Sequence, residues 1–138
     1  MVNTINLSRY QGKPPKADTN RKIAGGPLYS AEELLLILET GVNSFTPITK
    51  RCLADIERFE LSHDDIISLL RLCAESGKFR GSEWCRGSKD GHWLACDAYS
   101  VCRQEWIKAS SKNMNIEYYL KFAIGKTGQV ILMVSCHV

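Results

Sequence analysis

Strict two-residue alternation runs through the C-terminal part of the chain and leaves few folds open to it. Ile116, Tyr118, Leu120, Phe122 and Ile124 alternate with Glu117, Tyr119, Lys121 and Ala123, and Val130, Leu132, Val134, Cys136 and Val138 form a second apolar set. Successive side chains of a strand point to opposite faces, so each set marks the buried side of a half-exposed strand. The spacing predicts a hairpin over 115–124 and 129–138, joined by Lys126-Thr127-Gly128 with Gly128 left-handed. That loop sets Ile124 opposite Val130, Phe122 opposite Leu132, Leu120 opposite Val134 and Tyr118 opposite Cys136. A two-residue loop would set Leu120 against Met133 and mix the faces, which a sheet with one buried side penalises heavily. The other face then carries Glu117, Tyr119, Lys121, Ser135 and His137, with Tyr119 across from Ser135 and Glu117 across from His137.

Upstream the apolar period is helical. Ser30 and Glu33 form an S-x-x-E capping box ahead of Leu34, Leu35, Ile37 and Leu38, and Gly41 closes that helix. A second helix is predicted over 46–59, with Pro47 at its first position and Ile48, Cys52, Leu53, Ile56 and Phe59 as its stripe. A third begins at Ser62, with Asp64 and Asp65 placed well against the helix dipole, and ends at Gly77. Beyond it Leu94 and Cys96 alternate with Trp93, Ala95 and Asp97, and Tyr99 and Val101 follow. This reads as a strand that continues after a bend into 103–108.

Residues 1–28 contain Pro14-Pro15, Gly25-Gly26-Pro27 and five basic residues but no amphipathic period, so they read as a basic flexible extension to a domain over 29–138. The net charge of +3 is uneven: +4 over 1–28, −5 over 29–77 and +4 over 78–138. Such asymmetry suits a polyanion held against one part of the molecule. With 138 residues, 44% of them hydrophobic, the chain can bury one core. No apolar run approaches the roughly 20 residues of a membrane span, and the first ten residues lack a signal-peptide core. The expectation is a cytoplasmic protein that keeps off membranes. Six cysteines without a CxxC pair then read as free thiols, most of them small buried hydrophobes. Cys85, His92, Cys96 and Cys102 cluster, but without the short knuckle of a zinc site, so neither a metal nor any other cofactor is expected.

The polar hairpin face gathers chemistry. Metal-free RNA cleavage needs a base for the ribose 2′-hydroxyl, a cation for the phosphorane and an acid for the leaving 5′-oxygen. His137 suits the proton transfer, Lys121 the charge, Tyr119 the phosphate, and Glu117 the second proton or the orientation of His137. Arg80, Arg86 and Arg103 are candidate phosphate contacts, and Tyr99 is a candidate base contact. The plain alternative is a solvated outer sheet face, which antiparallel sheets normally have.

The order of GHWLACD, AYSVC, EYYLKFAI, a glycine turn and VILMVSCH resembles the MqsR toxins of bacterial toxin–antitoxin pairs. The family's D-x-Y strand matches Asp97-Ala98-Tyr99, its Tyr-x-Lys strand matches Tyr119-Leu120-Lys121, and its closing strand matches Ser135-Cys136-His137. Upstream, LLLILETG and CLADIERFELSHDDIISLL stand where the family has its helices, so the likeness spans about residues 30–138. It implies an α+β, RelE-like fold, with N-terminal helices packed on a twisted antiparallel sheet. It also implies an endoribonuclease toxin that cleaves mRNA without a metal, neutralised by a cognate antitoxin protein. Tyr119 keeps the family residue. His137 replaces a lysine, Cys96 replaces a glutamine, and a further lysine falls near Gly81, beside Arg80 and Lys78. These departures leave a second reading, a non-catalytic binding or inhibitor module that retains the fold.

Overall fold

The structure, a computed structural model, describes residues 5–16, 20–40, 44–87 and 91–138. In chain order these form strand β1 (Lys22–Ile23), helix α1 (Ala31–Glu39), strand β2 (Phe45–Pro47), helices α2 (Lys50–Arg58) and α3 (His63–Ser76), and strands β3 (Lys78–Arg86), β4 (Trp93–Ile107), β5 (Lys112–Ile124) and β6 (Ile131–His137). The strands make one sheet in the order β1-β3-β4-β5-β6-β2, antiparallel throughout except for the parallel β2–β6 pair. The fold is α+β. The helices precede the long strands, but one short edge strand, β1, comes before α1 and the other, β2, lies between α1 and α2.

Helix starts follow the capping chemistry. The Ser30 hydroxyl accepts from Glu33 N–H, while the Glu33 carboxylate pairs with Arg9 at 2.6 Å instead of returning to the cap. At Ser62 both halves of the box form, with Asp65 as the returning carboxylate. Gly41, the expected stop of the first helix, lies outside the described residues. The second helix is shorter than the 46–59 expected. Thr46 and Pro47 belong to β2, and Thr49 caps α2 by accepting from Cys52 N–H. A proline without an N–H is tolerated in an edge strand, and β2 is an edge.

The C-terminal hairpin forms with Gly128 at φ +72°, but its register is offset from the expected one. Ile124 lies opposite Ile131 and Phe122 opposite Met133; then Lys121 faces Ser135, so Val134 is an extra residue in β6. The bulge changes which residues point inward, and Ile131, Met133 and Cys136 are buried where an unbroken 130–138 alternation was expected. The Val134 carbonyl accepts the Thr49 hydroxyl at 2.8 Å, which ties the bulge to the start of α2.

Residues 5–28, where described, are part of the folded unit, contrary to the flexible extension expected. Residues 5–9 lie in the plane of the sheet, where β4 begins beyond the end of β5. Leu7 N–H donates to Trp93 O, Trp93 N–H to Ile5 O and Arg9 N–H to Ile124 O. They satisfy backbone groups that would otherwise be stranded where the two strands part. Further on, β1 adds to the edge of β3, and the Leu28 and Tyr29 amides donate to Asp97, which is fully buried and also accepts from Ser82 Oγ at 2.6 Å. This segment has no amphipathic period because its anchorage is backbone pairing and one buried carboxylate.

Leu34, Ile37, Leu69, Leu70 and Cys73 from the helices pack with Tyr99, Val101, Tyr118, Leu120 and Phe122 in the main core, while Tyr10, Ile23 and Leu28 pack on Trp84, Trp93 and Ala95. The sheet is strongly curled. Three strands separate β3 from β2, about 19 Å in a flat sheet, yet a Cβ on Gly87 would stand 4.0 Å from the Ile48 oxygen.

Candidate functional site

The face of the sheet turned away from the helices carries the candidate chemistry. Cross-strand partners share a face, so register assigns each residue its side. Ser100, Tyr119 and His137 form one row, and Gly81, Ala98, Lys121 and Ser135 the next. Lys22, Glu83 and Cys96 form a third. Arg80 joins the first row through a bulge in β3. It is skipped in the ladder between Phe79 and Gly81, Gly81 has φ +132°, and Arg80 Nε donates to Ser100 Oγ at 2.8 Å. A side chain at Gly81 would meet open space but not that backbone conformation, so glycine is what lets the strand turn Arg80 onto this face.

The result is an open groove of about 640 Å³ lined by Lys22, Arg80, Gly81, Glu83, Ala98 and Tyr119. Tyr119 and His137 lie directly across from each other, with ring centroids 5.3 Å apart and planes tilted by 31°. The Lys121 ammonium sits 5.8 Å from the Tyr119 ring centre and is paired with Glu83. The Lys121 side chain is only 16% exposed. Burial opposes its charge, but the Glu83 hydrogen bond and the neighbouring Cys85, Tyr119 and Glu83 charges outweigh that, and its pKa is raised. A fixed, partly desolvated cation beside an aromatic hydroxyl and an imidazole can hold a phosphoryl group more strongly than a solvated lysine would.

Beneath Lys121 lie two of the cysteines. Cys96 is fully buried and Cys85 nearly so. The Cys96 thiol donates to the Leu94 carbonyl at 3.7 Å and lies against Cys85; that neighbour draws the Cys85 pKa down against burial, while burial first and then Cys85 push Cys96 well up. Cys96 is therefore a protonated thiol in the floor of the face.

Of the expected proton and charge carriers, Tyr119, Lys121 and His137 come together. Glu117 does not join them: it is opposite Cys102 and exposed, and Tyr119 takes the place across from His137 that Glu117 was expected to fill. The carboxylate at the site is Glu83, which was missed because β3 was not recognised as a strand. The signal was present in the alternation of Ser82 and Trp84 with Glu83 and Cys85, but the Arg80–Gly81 bulge breaks the pattern at its start.

Of the expected RNA contacts only Arg80 reaches this face. Tyr99 is buried on the helix side, stacked on Phe122 with centroids 5.8 Å apart, and burial pushes its pKa up to about 12. Arg103 bridges Asp65 at 3.1 Å and Glu105 at 3.2 Å on that same side. Arg86 stacks over Trp93 at 4.3 Å, also away from the groove. Tyr99, Arg86 and Arg103 thus fall on the side of the sheet away from the groove, because strand pairing and not residue type sets the face each one takes.

Among the described residues no group of three or more His, Cys, Asp or Glu side chains is placed to hold a metal ion. None of their helices is long and apolar enough to cross a membrane. No protein-family model matches the chain, and neither the curated proteins nor the solved structures give a match to it.

Proposed function

We propose that this protein is an endoribonuclease that cleaves mRNA by attack of the ribose 2′-hydroxyl, acting as an MqsR-like, RelE-fold toxin with a cognate antitoxin. One observation carries the reading: Tyr119, Lys121 and His137 share adjacent rungs of one sheet face, beside an open groove that Tyr119 and Arg80 line. Helices on one face of a curled, mostly antiparallel sheet agree with it, as do the matched Tyr119-Leu120-Lys121 and Ser135-Cys136-His137 segments.

In this reading the scissile phosphate sits over Lys121, with Tyr119 donating to a non-bridging oxygen and Arg80 steering the strand. Removal of the 2′-hydroxyl proton lets O2′ bond to phosphorus. The P–O5′ bond then breaks and O5′ takes a proton, leaving a 2′,3′-cyclic phosphate and a 5′-hydroxyl. His137 carries one of the two proton transfers. Glu83 holds Lys121 in position for the charge that develops on the phosphorane.

The test is incubation of purified protein with labelled mRNA in EDTA, with and without a translation extract, beside His137→Ala. Discrete fragments are expected from the wild type, and the variant should lose about 10²–10⁴ in rate. A loss below about threefold would remove His137 from the proton transfer. Intact RNA under both conditions would overturn the nuclease and leave the non-catalytic binding module.

A further inference from the structure

The β4–β5 ribbon extends the groove face well past the site. From residue 102 outward, Cys102, Gln104 and Trp106 on β4 are exposed while Arg103, Glu105 and Ile107 are half-buried. On β5, Asn113, Asn115 and Glu117 are their cross-strand partners and are also exposed. By parity these six share the face of Ser100, Tyr119 and His137. Trp106 is the one exposed indole of three, at 61% against 6% for Trp84 and 0% for Trp93.

Trp106 stands six residues along β4 from Ser100, about 20 Å at the rise of a strand. The turn next to it carries Lys108, and Lys112 begins β5 opposite Ile107; both are exposed. The other side of the ribbon is braced: Arg103 bridges Asp65 and Glu105, and the Tyr118 hydroxyl donates to Glu105 at 2.5 Å. A rigid ribbon therefore presents amide side chains and one aromatic plane, with lysines at the tip, in line with the groove.

We propose that this outer face is a track for single-stranded RNA, with Trp106 as a stacking platform for a base several nucleotides from the bond cut at Lys121 and His137. The inference rests on the nuclease reading for its direction but not for its detection. Single-strand sites combine cationic grooves with aromatic planes in this way and cover roughly 4–16 nucleotides per small domain. The amides of Gln104, Asn113 and Asn115 suit base edges, and Glu117 is the only carboxylate on the stretch. A protein partner would find a narrow polar strip around one apolar ring, too little apolar surface to favour it over a nucleic acid strand.

The test uses the full chain and a single-stranded RNA of about 12 nucleotides with 2′-O-methyl riboses, which lack the nucleophile and so report binding alone. Because the other two tryptophans are buried, emission from exposed Trp106 should be quenched as this RNA is added. Trp106→Ala should weaken binding roughly 5- to 150-fold with an unchanged melting temperature, and Trp106→Phe should restore most of the loss. An oligomer of about 4 nucleotides should lose little in the alanine variant. No quenching, with equal affinity of wild type and Trp106→Ala for the longer RNA, overturns the track. If that result came while natural mRNA was still cut, the nuclease reading would stand; quenching without any cleavage of natural RNA would sink the nuclease and keep the track.

Discussion

Tyr118 and Tyr119 are adjacent in the chain and meet opposite fates. Tyr118 is buried on the helix side, bonded to Glu105 under Arg103, and burial pushes its pKa up to about 12. Tyr119 stands half-exposed over the groove, across from His137 and beside Lys121. The same division separates Arg103, spent between two carboxylates, from Arg80, which reaches Ser100 on the open side. Residue type does not decide which tyrosine or arginine is available for chemistry. The strand face does.

The strongest way to break that division is to exchange roles across it. Lys121→Met should lower RNA cleavage by about 10²–10³, the usual cost of losing one transition-state contact. Arg103→Met should leave cleavage alone and lower stability by about 1–3 kcal/mol, because Asp65 and Glu105 lose their shared partner. An equal loss of cleavage in both variants, measured at saturating RNA, would erase the contrast.

Next in size is Asp97, the carboxylate that holds the N-terminal segment. Asp97→Ala strands the Leu28 and Tyr29 amides and the Ser82 hydroxyl, and should cost about 3 kcal/mol in urea unfolding. Amide exchange at Leu28 and Tyr29 should quicken more than in α3. Protection that stayed level would mean that β1 and residues 5–9 hold the segment without it.

The helix side also predicts an alkaline limit. Burial pushes Tyr99 and Tyr118, and the thiols of Cys73 and Cys136, each up to about 12 in the folded chain. The unfolded chain releases these protons first, from about pH 8.5 for thiols and about 10 for phenols. Above that the folded state binds more protons, so the contribution of these four groups is level below about pH 8 and falls as pH rises toward about 12. Denaturant midpoints at stepped pH would check the sign, and a rise over that interval would contradict it.

The smallest expected effect sharpens the link between bulge and helix. Thr49→Ala removes both the α2 cap and the donor to Val134 O, and should cost about 1–2 kcal/mol. Thr49→Ser keeps the hydroxyl and should recover most of it.

Local chemistry was legible where a short stretch sets its own geometry. Ser30 and Ser62 cap the helices expected of them, and Gly128 takes the left-handed turn, because a cap hydroxyl or a positive φ depends on a few neighbouring atoms. The grouping of Tyr119, Lys121, Ser135 and His137 on one face was legible for the same reason, as period-two alternation within strands. The place of Glu83 was not, since it required β3 to be recognised and registered against β4. Nor was the one-residue bulge at Val134, whose carbonyl is bonded by a threonine 85 residues earlier in the chain. The anchorage of residues 5–29 was invisible as well. It depends on backbone groups left open by the parting of β4 and β5 and on a carboxylate buried 68 residues beyond Tyr29. The sequence by itself determined which residues alternate, where helices begin and where a turn needs glycine. Only the tertiary structure decided which strand lies beside which, and so which charges meet, because pairing between distant strands is set by the burial of the whole sheet and not by any one segment of it.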